Sequence, residues 1–337
     1  MSQAVRAVVV GAGAWGTALG TVLAQRGHAV TIWSYEPEVA QSINQEGINP
    51  YLEGISLPKG MRAETHLGTA VKGAELVVSA SPSQFVRRVM ASAAPHMEPE
   101  AIVLSASKGI EIGSLLRMDE VLAETLPESA MRRFCVLSGP SFAREVAAGQ
   151  PTAVVIASRD EAAAVRARDL FQTATFRVYT NPDVVGVELG GALKNVIALA
   201  AGTTAGLGFG HNTTAALITR GLAEMTRLGL AVGAERATFY GLAGLGDLVL
   251  TCTGSLSRNR TVGYRLGRGE QLDRILADMT AVAEGVQTTR AAYELARRHR
   301  VEMPITEQMF AILYEGRPPA DALRALMTRD PKPEEWT

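Results

Sequence analysis

The sequence predicts an α/β fold in which a doubly wound parallel sheet is followed by an all-α region. Three observations support this prediction. Short β-branched runs alternate with helical patterns from residue 5 to about 180, a glycine-rich turn follows the first run, and strand signals stop after Asn181-Pro182-Asp183. Apolar runs that alternate with helices are typical of parallel strands covered by helices on both faces.

The predicted strands are short, continuous apolar runs. The first run is too short for a secretory signal and ends in glycines, so we interpret it as a strand. The runs are Ala7-Val8-Val9-Val10, Ala29-Val30-Thr31-Ile32-Trp33, Leu76-Val77-Val78-Ser79, Ile102-Val103-Leu104-Ser105, Phe134-Cys135-Val136-Leu137 and Ala153-Val154-Val155-Ile156.

The rest of the chain has the pattern of helices separated by glycine-rich turns. Asn181 is the expected N-cap of the first of these helices, with Pro182 at its first position. We therefore predict two domains, residues 1–185 and residues 186–337.

Composition and charge narrow the function classes. The chain has 337 residues, with 33 Lys and Arg against 34 Asp and Glu, which disfavours nucleic acid or an anionic membrane as a partner. Cys135 and Cys252 lie outside any CxxC, so neither a disulfide framework nor a metal site is predicted. The most apolar stretch, near residues 184–207, carries Glu188 and Lys194, so we expect no membrane span and a cytoplasmic protein.

A glycine fingerprint, Gly11-Ala12-Gly13-Ala14-Trp15-Gly16, lies between the first predicted strand and a helical pattern. Gly11 permits the tight turn, Gly13 lets the backbone approach a pyrophosphate, and Gly16 allows close packing of helix on strand. The helix N-terminus then faces the anion. A glycine turn that only packs is the alternative. Strand, fingerprint, helix and second strand together predict a Rossmann-type dinucleotide-binding domain.

The choice between NAD and NADP depends on the end of the second strand, where an acidic residue usually binds the adenosine ribose of NAD. The selector position falls on Ser34, with Tyr35 beside it, while Glu36 is late enough to belong to the next helix. No acid stands there to repel a 2′-phosphate, and no arginine stands nearby to attract one. Both cofactors therefore stay open.

Two further candidates follow later strands, at the sheet edge where ligands bind in open α/β folds. Lys108 can attract a phosphate or polarise a carbonyl, and a solvated loop lysine is the alternative. Ser141 follows Ser138-Gly139-Pro140 in a turn whose N–H groups and hydroxyl can bind an anion, and helix capping is the alternative.

Lys194 lies in an apolar helical pattern rich in small residues. It shares one helix face with Val187, Gly190, Gly191 and Ala198. Two adjacent glycines cost a helix about 1–2 kcal/mol relative to alanines, so the space they leave is expected to hold a ligand or another backbone. Desolvation lowers the pKa of a lysine toward the range useful for proton transfer. Lys194 is therefore the predicted general acid/base, against the alternative of a side chain that reaches water.

A second polar cluster follows in the helical region. Asp247 is the one carboxylate in the stretch 241–252, so we expect it to be paired or functional, with a cap or structural ion pair as the alternative. The segment Ser257-Arg258-Asn259-Arg260 supplies a hydroxyl, guanidinium groups and an amide near a predicted helix start. That combination suits phosphate, and a solvated turn is the alternative.

Together these motifs resemble the bacterial NAD(P)-dependent glycerol-3-phosphate dehydrogenases over nearly the whole chain. The most specific segments are GAGAWGTAL (11–19), SKGIE (107–111), SGPSFAREVAAGQPTA (138–153), ELGGALKNVIALAAG (188–202) and GLAGLGDLVLTCTGSLSRNR (241–260). The resemblance implies a Rossmann domain, an all-helical second domain, and reduction of dihydroxyacetone phosphate to sn-glycerol 3-phosphate for phospholipid synthesis.

The resemblance also implies roles for individual residues. Lys194 would exchange a proton with the substrate oxygen, and Asp247 would orient the side chain of Lys194. The residues implied around the triose phosphate are Lys108, Gly139, Ser141, Lys194, Asp247, Ser257, Arg258 and Asn259. Those implied at the dinucleotide, beside the three fingerprint glycines, are Ala14, Trp15, Tyr35, Lys108, Ala143, Arg258, Val282 and Glu284.

Two departures bear on the cofactor. Ala14 stands where many members have serine, and Tyr35 stands where NADP-preferring members often have a basic residue. Another β-hydroxyacid dehydrogenase is an alternative enzyme, which the SRNR cluster disfavours, and a non-catalytic dinucleotide sensor is an alternative of a different class. A homodimer is compatible with helices that have Ala- and Gly-rich faces.

Overall fold

The computed structural model describes residues 4–279 and 282–334, which form two compact units. The first unit extends to Lys108 and resumes over Leu116–Glu188. The second unit comprises Gly109–Leu115 and the described residues from Leu189 onward. The sequence did not indicate that Gly109–Leu115 belongs with the helical unit, and the predicted boundary after residue 185 stays a prediction.

The first unit is built on one sheet with helices on its faces. Its strands are β1 (Arg6–Val10), β2 (Ala29–Trp33), β3 (Arg62–Glu64), β4 (Leu76–Ser79), β5 (Ile102–Ser105), β6 (Phe134–Ser138), β7 (Thr152–Ala157) and β8 (Phe176–Asn181). Its helices are α1 (Ala14–Gln25), α2 (Pro37–Glu46), α3 (Leu67–Val71), α4 (Val86–Ala93), α5 (Met118–Thr125), α6 (Glu128–Met131), α7 (Ala143–Ala147) and α8 (Glu161–Phe171), with short 3₁₀ turns at Pro50–Leu52, Ser83–Phe85 and Ala94–His96.

The strand order is β3-β2-β1-β4-β5-β6-β7-β8, so the winding direction changes between β1 and β4. Ligands of doubly wound folds bind outside the carboxyl ends of the strands at such a change. The central strands are buried on both sides, as the run Val8, Val9 and Val10 shows. The predicted α/β class, with a Rossmann-type sheet and a helical C-terminal region, is confirmed.

The sequence predicts a parallel sheet, and this prediction is wrong for one pair of strands. β7 runs antiparallel to β6, with Ser138 opposite Val155. Residues 139–151 join the two strands, and their one helix, the five-residue α7, rises about 7.5 Å at 1.5 Å per residue, which is less than the length of either strand. The chain therefore enters β7 from the carboxyl end of β6.

The second unit is helical. α9 (Val184–Gly206) begins in the first unit and enters the second at Leu189. It is followed by α10 (His211–Ala231), α11 (Arg236–Phe239), a π-helical turn (Leu242–Gly246), α12 (Asp247–Thr253), α13 (Arg258–Gly267), α14 (Leu272–Ala277), α15 (Glu284–His299), α16 (Pro304–Tyr314) and α17 (Pro319–Met327). The expected N-cap at Asn181 is wrong, because β8 extends to that residue. Asp183 takes the capping role, since its Oδ1 accepts a hydrogen bond from Gly186 N at 2.8 Å.

α9 is long and apolar enough to span a membrane, but 94% of its most apolar stretch is buried inside the protein.

Glycines bring α9 against α13. A Cβ at Gly202 would lie 2.0 Å from the carbonyl oxygen of Arg260, and a Cβ at Gly263 would lie 2.0 Å from that of Leu199. The small residues therefore let two helix backbones touch, which places α13 along the C-terminal part of α9.

Candidate active site

The glycine-rich loop of the first unit joins β1 to α1. Gly11 has a φ of +131°, and a Cβ there would lie 2.8 Å from the backbone of Ala80. A Cβ at Gly16 would lie 2.1 Å from the Gly11 carbonyl oxygen, so α1 can start this close to the loop only with glycine. A Cβ at Gly13 would meet nothing within 4 Å. The loop thus has two glycines that packing requires and one that borders open space.

The start of α1 fits an anion such as a pyrophosphate. The helix begins at Ala14, and its N-cap Gly13 has no side chain to satisfy the first N–H groups. Unsatisfied N–H groups and the helix dipole both favour negative charge. Within residues 4–279 and 282–334, the buried indole Nε1 of Trp15 has no hydrogen-bond partner. These features are compatible with the binding of a dinucleotide at this end of the unit.

The end of β2 separates the three residues considered for cofactor selection. Ser34 is buried, and its hydroxyl donates to the Glu36 carbonyl oxygen at 2.9 Å. Glu36 is the N-cap residue of α2, and its carboxylate accepts from the Tyr51 hydroxyl at 3.2 Å. Tyr35 is 77% exposed, and its ring contacts Trp33 edge to face. Tyr35 is therefore the side chain that the strand end presents to solvent.

Lys108, Gly139, Ser141 and Trp15 come together in the first unit. Lys108 Nζ donates to the Gly139 carbonyl oxygen at 3.3 Å and lies 5.9 Å from the centre of the Trp15 ring. Ser141 Oγ donates to the same carbonyl oxygen at 2.9 Å. α7 begins at Ala143 and has Phe142 as its N-cap residue, so Ser141 is not the cap. The lysine is thus held by the turn after β6 and is not a freely solvated loop side chain.

Lys194 is buried in the second unit and paired with Asp247. Lys194 Nζ donates to Asp247 Oδ1 at 2.6 Å and to Thr251 Oγ1 at 2.8 Å. Lys194 is 7% exposed and Asp247 is 1% exposed, so the lysine side chain does not reach out to water. Thr251 Oγ1 in turn donates to the Asp247 carbonyl oxygen at 2.6 Å. Because a buried ion pair adds little net stability, this pair is a candidate for a chemical role.

The π-helical turn before Asp247 lies directly on α9. A Cβ at Gly190 would lie 2.5 Å from the Ala243 carbonyl oxygen, so the space at this glycine is taken by another backbone and not by a ligand. Gly190 lies one helical turn before Lys194, and the turn at 242–246 leads straight into α12. The close approach therefore sets the distance between the lysine and the carboxylate. π-helical turns occur frequently at functional sites.

The SRNR cluster forms the start of α13. Ser257 is its N-cap residue, since the hydroxyl accepts from Arg260 N at 3.2 Å. Asn259 is 8% exposed, and its Oδ1 accepts from Gly285 N at 3.0 Å near the start of α15. Arg258, at the first helical position, is exposed. The helix N-terminus and the guanidinium group together suit a phosphate.

The same contacts connect this cluster to the lysine. A Cβ at Gly285 would lie 2.8 Å from the carbonyl oxygen of Asn195, the residue after Lys194. The second unit therefore brings the Lys194–Asp247 pair, the SRNR cluster and the start of α15 into one region. Of the two further residues implied for the dinucleotide, Val282 is 44% exposed and Glu284 begins α15.

Thr251 was not recognised from the sequence as a site residue. It lies four residues after Asp247 on α12, and positions four apart share a helix face. That spacing was the available signal.

Comparison with known proteins identifies the family. The family model for the N-terminus of NAD-dependent glycerol-3-phosphate dehydrogenase matches residues 6–164, and the model for its C-terminus matches residues 183–324. A glycerol-3-phosphate dehydrogenase [NAD(P)+] from Geobacter sulfurreducens is 56% identical over 97% of this chain and 98% of its own length. One from Koribacter versatilis is 54% identical over 98% and 99%.

A solved structure supports the same family. The crystal structure of a glycerol-3-phosphate dehydrogenase from Coxiella burnetii superposes with a TM-score of 0.92 at 38% identity, covering 97% of this chain and 99% of that one. The chain belongs to the NAD-dependent glycerol-3-phosphate dehydrogenase family.

Proposed function

We propose that the chain catalyses the NAD(P)-linked interconversion of dihydroxyacetone phosphate and sn-glycerol 3-phosphate. The observation that carries the proposal is the buried pair of Lys194 and Asp247, hydrogen-bonded at 2.6 Å within an apolar helical unit. A lysine kept away from water and fixed by a carboxylate and a hydroxyl is suited to exchange one proton with a substrate oxygen. Membership of the glycerol-3-phosphate dehydrogenase family supports the choice of dihydroxyacetone phosphate and sn-glycerol 3-phosphate as the substrates.

Lys194 supplies the proton chemistry of the reaction. When bound, the dinucleotide supplies or accepts the hydride at C2 of the substrate. In reduction, Lys194 Nζ gives a proton to the oxygen of the C2 carbonyl, which becomes the C2 hydroxyl, and in oxidation the neutral amine takes that proton back. Asp247 and Thr251 fix the position of Nζ, so little reorganisation is needed when charge develops on the oxygen.

The remaining assignments concern binding. Arg258 and the N-capped start of α13 are suited to hold the phosphate of the substrate, and thereby to fix the position of C2. Lys108, held at the Gly139 carbonyl and against Trp15, is suited to an anionic group of substrate or dinucleotide. In the first unit, the pyrophosphate would be held at Gly11, Gly13 and the start of α1.

Several wider features belong to the same proposal. NAD and NADP remain alternatives, because the exposed Tyr35 neither repels nor attracts a 2′-phosphate. A cytoplasmic location, a homodimer and a supply of glycerol phosphate for phospholipid synthesis complete the expected setting.

The test is an assay of NADH and NADPH oxidation with dihydroxyacetone phosphate, applied to the wild type and to Lys194→Ala. We expect turnover of the variant to fall on the order of 10³-fold, because general acid catalysis is lost, while dinucleotide binding is unchanged. Added methylamine should restore part of the turnover by occupying the space of the lysine amine.

Lys59→Met is the matched control, since this lysine is exposed and lies in the first unit. Its turnover should equal that of the wild type. Near-normal turnover of Lys194→Ala without added amine would exclude the acid/base role, and a wild type without activity toward dihydroxyacetone phosphate would exclude the proposed substrate.

A further inference from the structure

Asn49 is a buried side chain that joins three parts of the first unit. It is 1% exposed. Its Nδ2 donates to the Ala12 carbonyl oxygen at 2.8 Å and to Thr17 Oγ1 at 2.7 Å, while its Oδ1 accepts from Tyr51 N at 2.8 Å. The carbonyl oxygen can only accept and the peptide N–H can only donate, so these contacts fix the orientation of the amide. Asn49 therefore clamps the glycine-rich loop to the turn at 50–52.

The peptide between Ala12 and Gly13 needs such a clamp. In a peptide plane the C=O and N–H bonds point in opposite directions, so a flip of this peptide would exchange the Gly13 N–H for the Ala12 carbonyl oxygen. Gly13 has a φ of −65°, and a Cβ there would meet nothing within 4 Å. Glycine also adopts positive φ as readily as negative φ. The backbone preference of Gly13 therefore does not oppose the flip. Besides the bond from Asn49, the Ala12 carbonyl oxygen accepts a longer one from Thr17 Oγ1 at 3.4 Å, and Asn49 Nδ2 itself donates to that hydroxyl.

The orientation of this peptide matters for an anion. In the glycine fingerprint, the second glycine is where the backbone approaches the pyrophosphate. A carbonyl oxygen facing that position would repel the anion, whereas an N–H group would bind it. The Asn49 amide holds the Ala12 carbonyl oxygen on its own side, beside Thr17 of α1.

We propose that Asn49 is a positioning residue for dinucleotide binding, which rests on the proposed function of the first unit. It selects the orientation of the Ala12–Gly13 peptide that presents the Gly13 N–H to the pyrophosphate. Without Asn49 the loop divides between two orientations, and the apparent affinity falls in proportion to the competent fraction. Because the pyrophosphate is common to NAD and NADP, the loss is the same factor for both.

The first experiment compares Asn49→Ala with Asn44→Ala by calorimetric titration of ADP-ribose, which has the pyrophosphate but no nicotinamide. Asn44 is the matched control, because its side chain also makes two hydrogen bonds to backbone, both to Ala63, away from the loop. We expect Asn49→Ala to bind ADP-ribose about tenfold more weakly and Asn44→Ala to bind it like the wild type.

The kinetics should divide in the same way. The KM of Asn49→Ala for NADH and for NADPH should rise by one common factor, while kcat at saturating dinucleotide stays close to that of the wild type. A folded Asn49→Ala with wild-type affinity for ADP-ribose, or an equal loss in Asn44→Ala, would overturn the assignment.

A second variant, Asn49→Asp, keeps the acceptor for Tyr51 N and replaces the donor by an oxygen, which when ionised also places a negative charge beside the loop. An ionised carboxylate cannot donate to the Ala12 carbonyl oxygen, but a protonated one can. The affinity of Asn49→Asp for ADP-ribose should therefore recover as the pH falls. It is compared with the affinity of the wild type at the same pH, because the neighbouring Glu36 and Tyr51 are present in both proteins. A constant ratio between variant and wild type across pH would contradict the proposal.

The two proposals fail in different ways. If the wild type binds neither ADP-ribose nor NADH, the proposed dinucleotide function is wrong. If the wild type binds both and Asn49→Ala binds them equally well, only the role of Asn49 is wrong.

Discussion

Buried ionisable side chains in the second unit have two different kinds of hydrogen-bond partner. Lys194 and Asp247 neutralise each other at 2.6 Å. Glu224, on α10, is 1% exposed and instead accepts hydrogen bonds from the backbone N–H groups of Ile305 at 2.6 Å and Thr306 at 3.2 Å. These N–H groups lie in the first turn of α16, which Pro304 begins. Glu224 is therefore a cap supplied from another helix.

Glu224 makes stability depend on pH. Burial raises the pKa of its carboxyl to about 7, although the hydrogen bonds from Ile305 and Thr306 oppose the shift. Below the unfolded value of about 4.5 the carboxyl is protonated in both states, and its full contribution to stability is present. Between about pH 4.5 and 7 the unfolded chain releases the proton first, so the free energy of unfolding falls by about 3 kcal/mol.

Glu224→Gln removes this titration and keeps one acceptor for the helix N–H groups. We expect its free energy of unfolding, measured by urea denaturation, to change less between pH 4.5 and 8 than that of the wild type. Glu315→Gln, at an exposed position in the same unit, is the control and should follow the wild-type curve. An identical pH dependence in Glu224→Gln and wild type would show that Glu224 does not titrate in this range.

The sequence identified single residues by their unusual surroundings and could not identify their partners. Lys194 and Asp247 were recognised as isolated charges in apolar, glycine-rich segments. Their pairing is a property of the fold, because 53 positions separate them. Asn49 lies 37 positions from Ala12 and is one polar residue in an ordinary polar loop, so its role becomes visible only with the hydrogen bonds.

The contact between α9 and α13 depends on paired glycines. Gly202 and Gly206 on α9 face Gly263 and Gly267 on α13, and a Cβ at any of them would come within 2.2 Å of a carbonyl oxygen on the other helix. Backbone atoms cannot yield as a flexible side chain can. The spacing of four residues on both helices is what lets the two rows meet.

Gly263→Ala should therefore destabilise the protein. Its Cβ would lie 2.0 Å from the Leu199 carbonyl oxygen, and forcing the helices apart should lower the free energy of unfolding by about 1–3 kcal/mol. Gly210→Ala is the control, because a Cβ there meets nothing within 4 Å, and the loss of a glycine N-cap should cost about 0.5 kcal/mol. Equal unfolding curves for the two variants would show that the helices are not held together by this close approach.

Strand prediction succeeded in the middle of the sheet and failed at its edges. Central strands such as β1 and β4 are covered on both faces, so their sequences are continuous apolar runs. β3 and β8 lie at the two edges and lack such a run. β8, with the sequence FRVYTN, alternates between buried and exposed positions at its start, a period-two pattern that could have identified it. β3, with the sequence RAE, has no β-branched residue and gives no such signal.

The two units are not two consecutive pieces of chain. Gly109–Leu115 belongs to the second unit although the first unit continues at Leu116. Ile110 is fully buried and Leu115 is 6% exposed. A chain shortened to end at Glu188 would keep this segment but lose the helices of the unit to which it belongs.

We therefore expect the chain that ends at Glu188 to expose Ile110 and Leu115, to bind a hydrophobic dye such as ANS, and to self-associate in sedimentation experiments. Replacing both residues by serine in the shortened chain should lower dye binding and restore a monodisperse species. Phe85→Ser is the matched control, because Phe85 is already 45% exposed in the first unit and its loss should change the association much less. If the double replacement leaves dye binding unchanged, the burial of Gly109–Leu115 does not depend on the helices of the second unit. The segment would then belong to the first unit, and the two units would be consecutive pieces of chain.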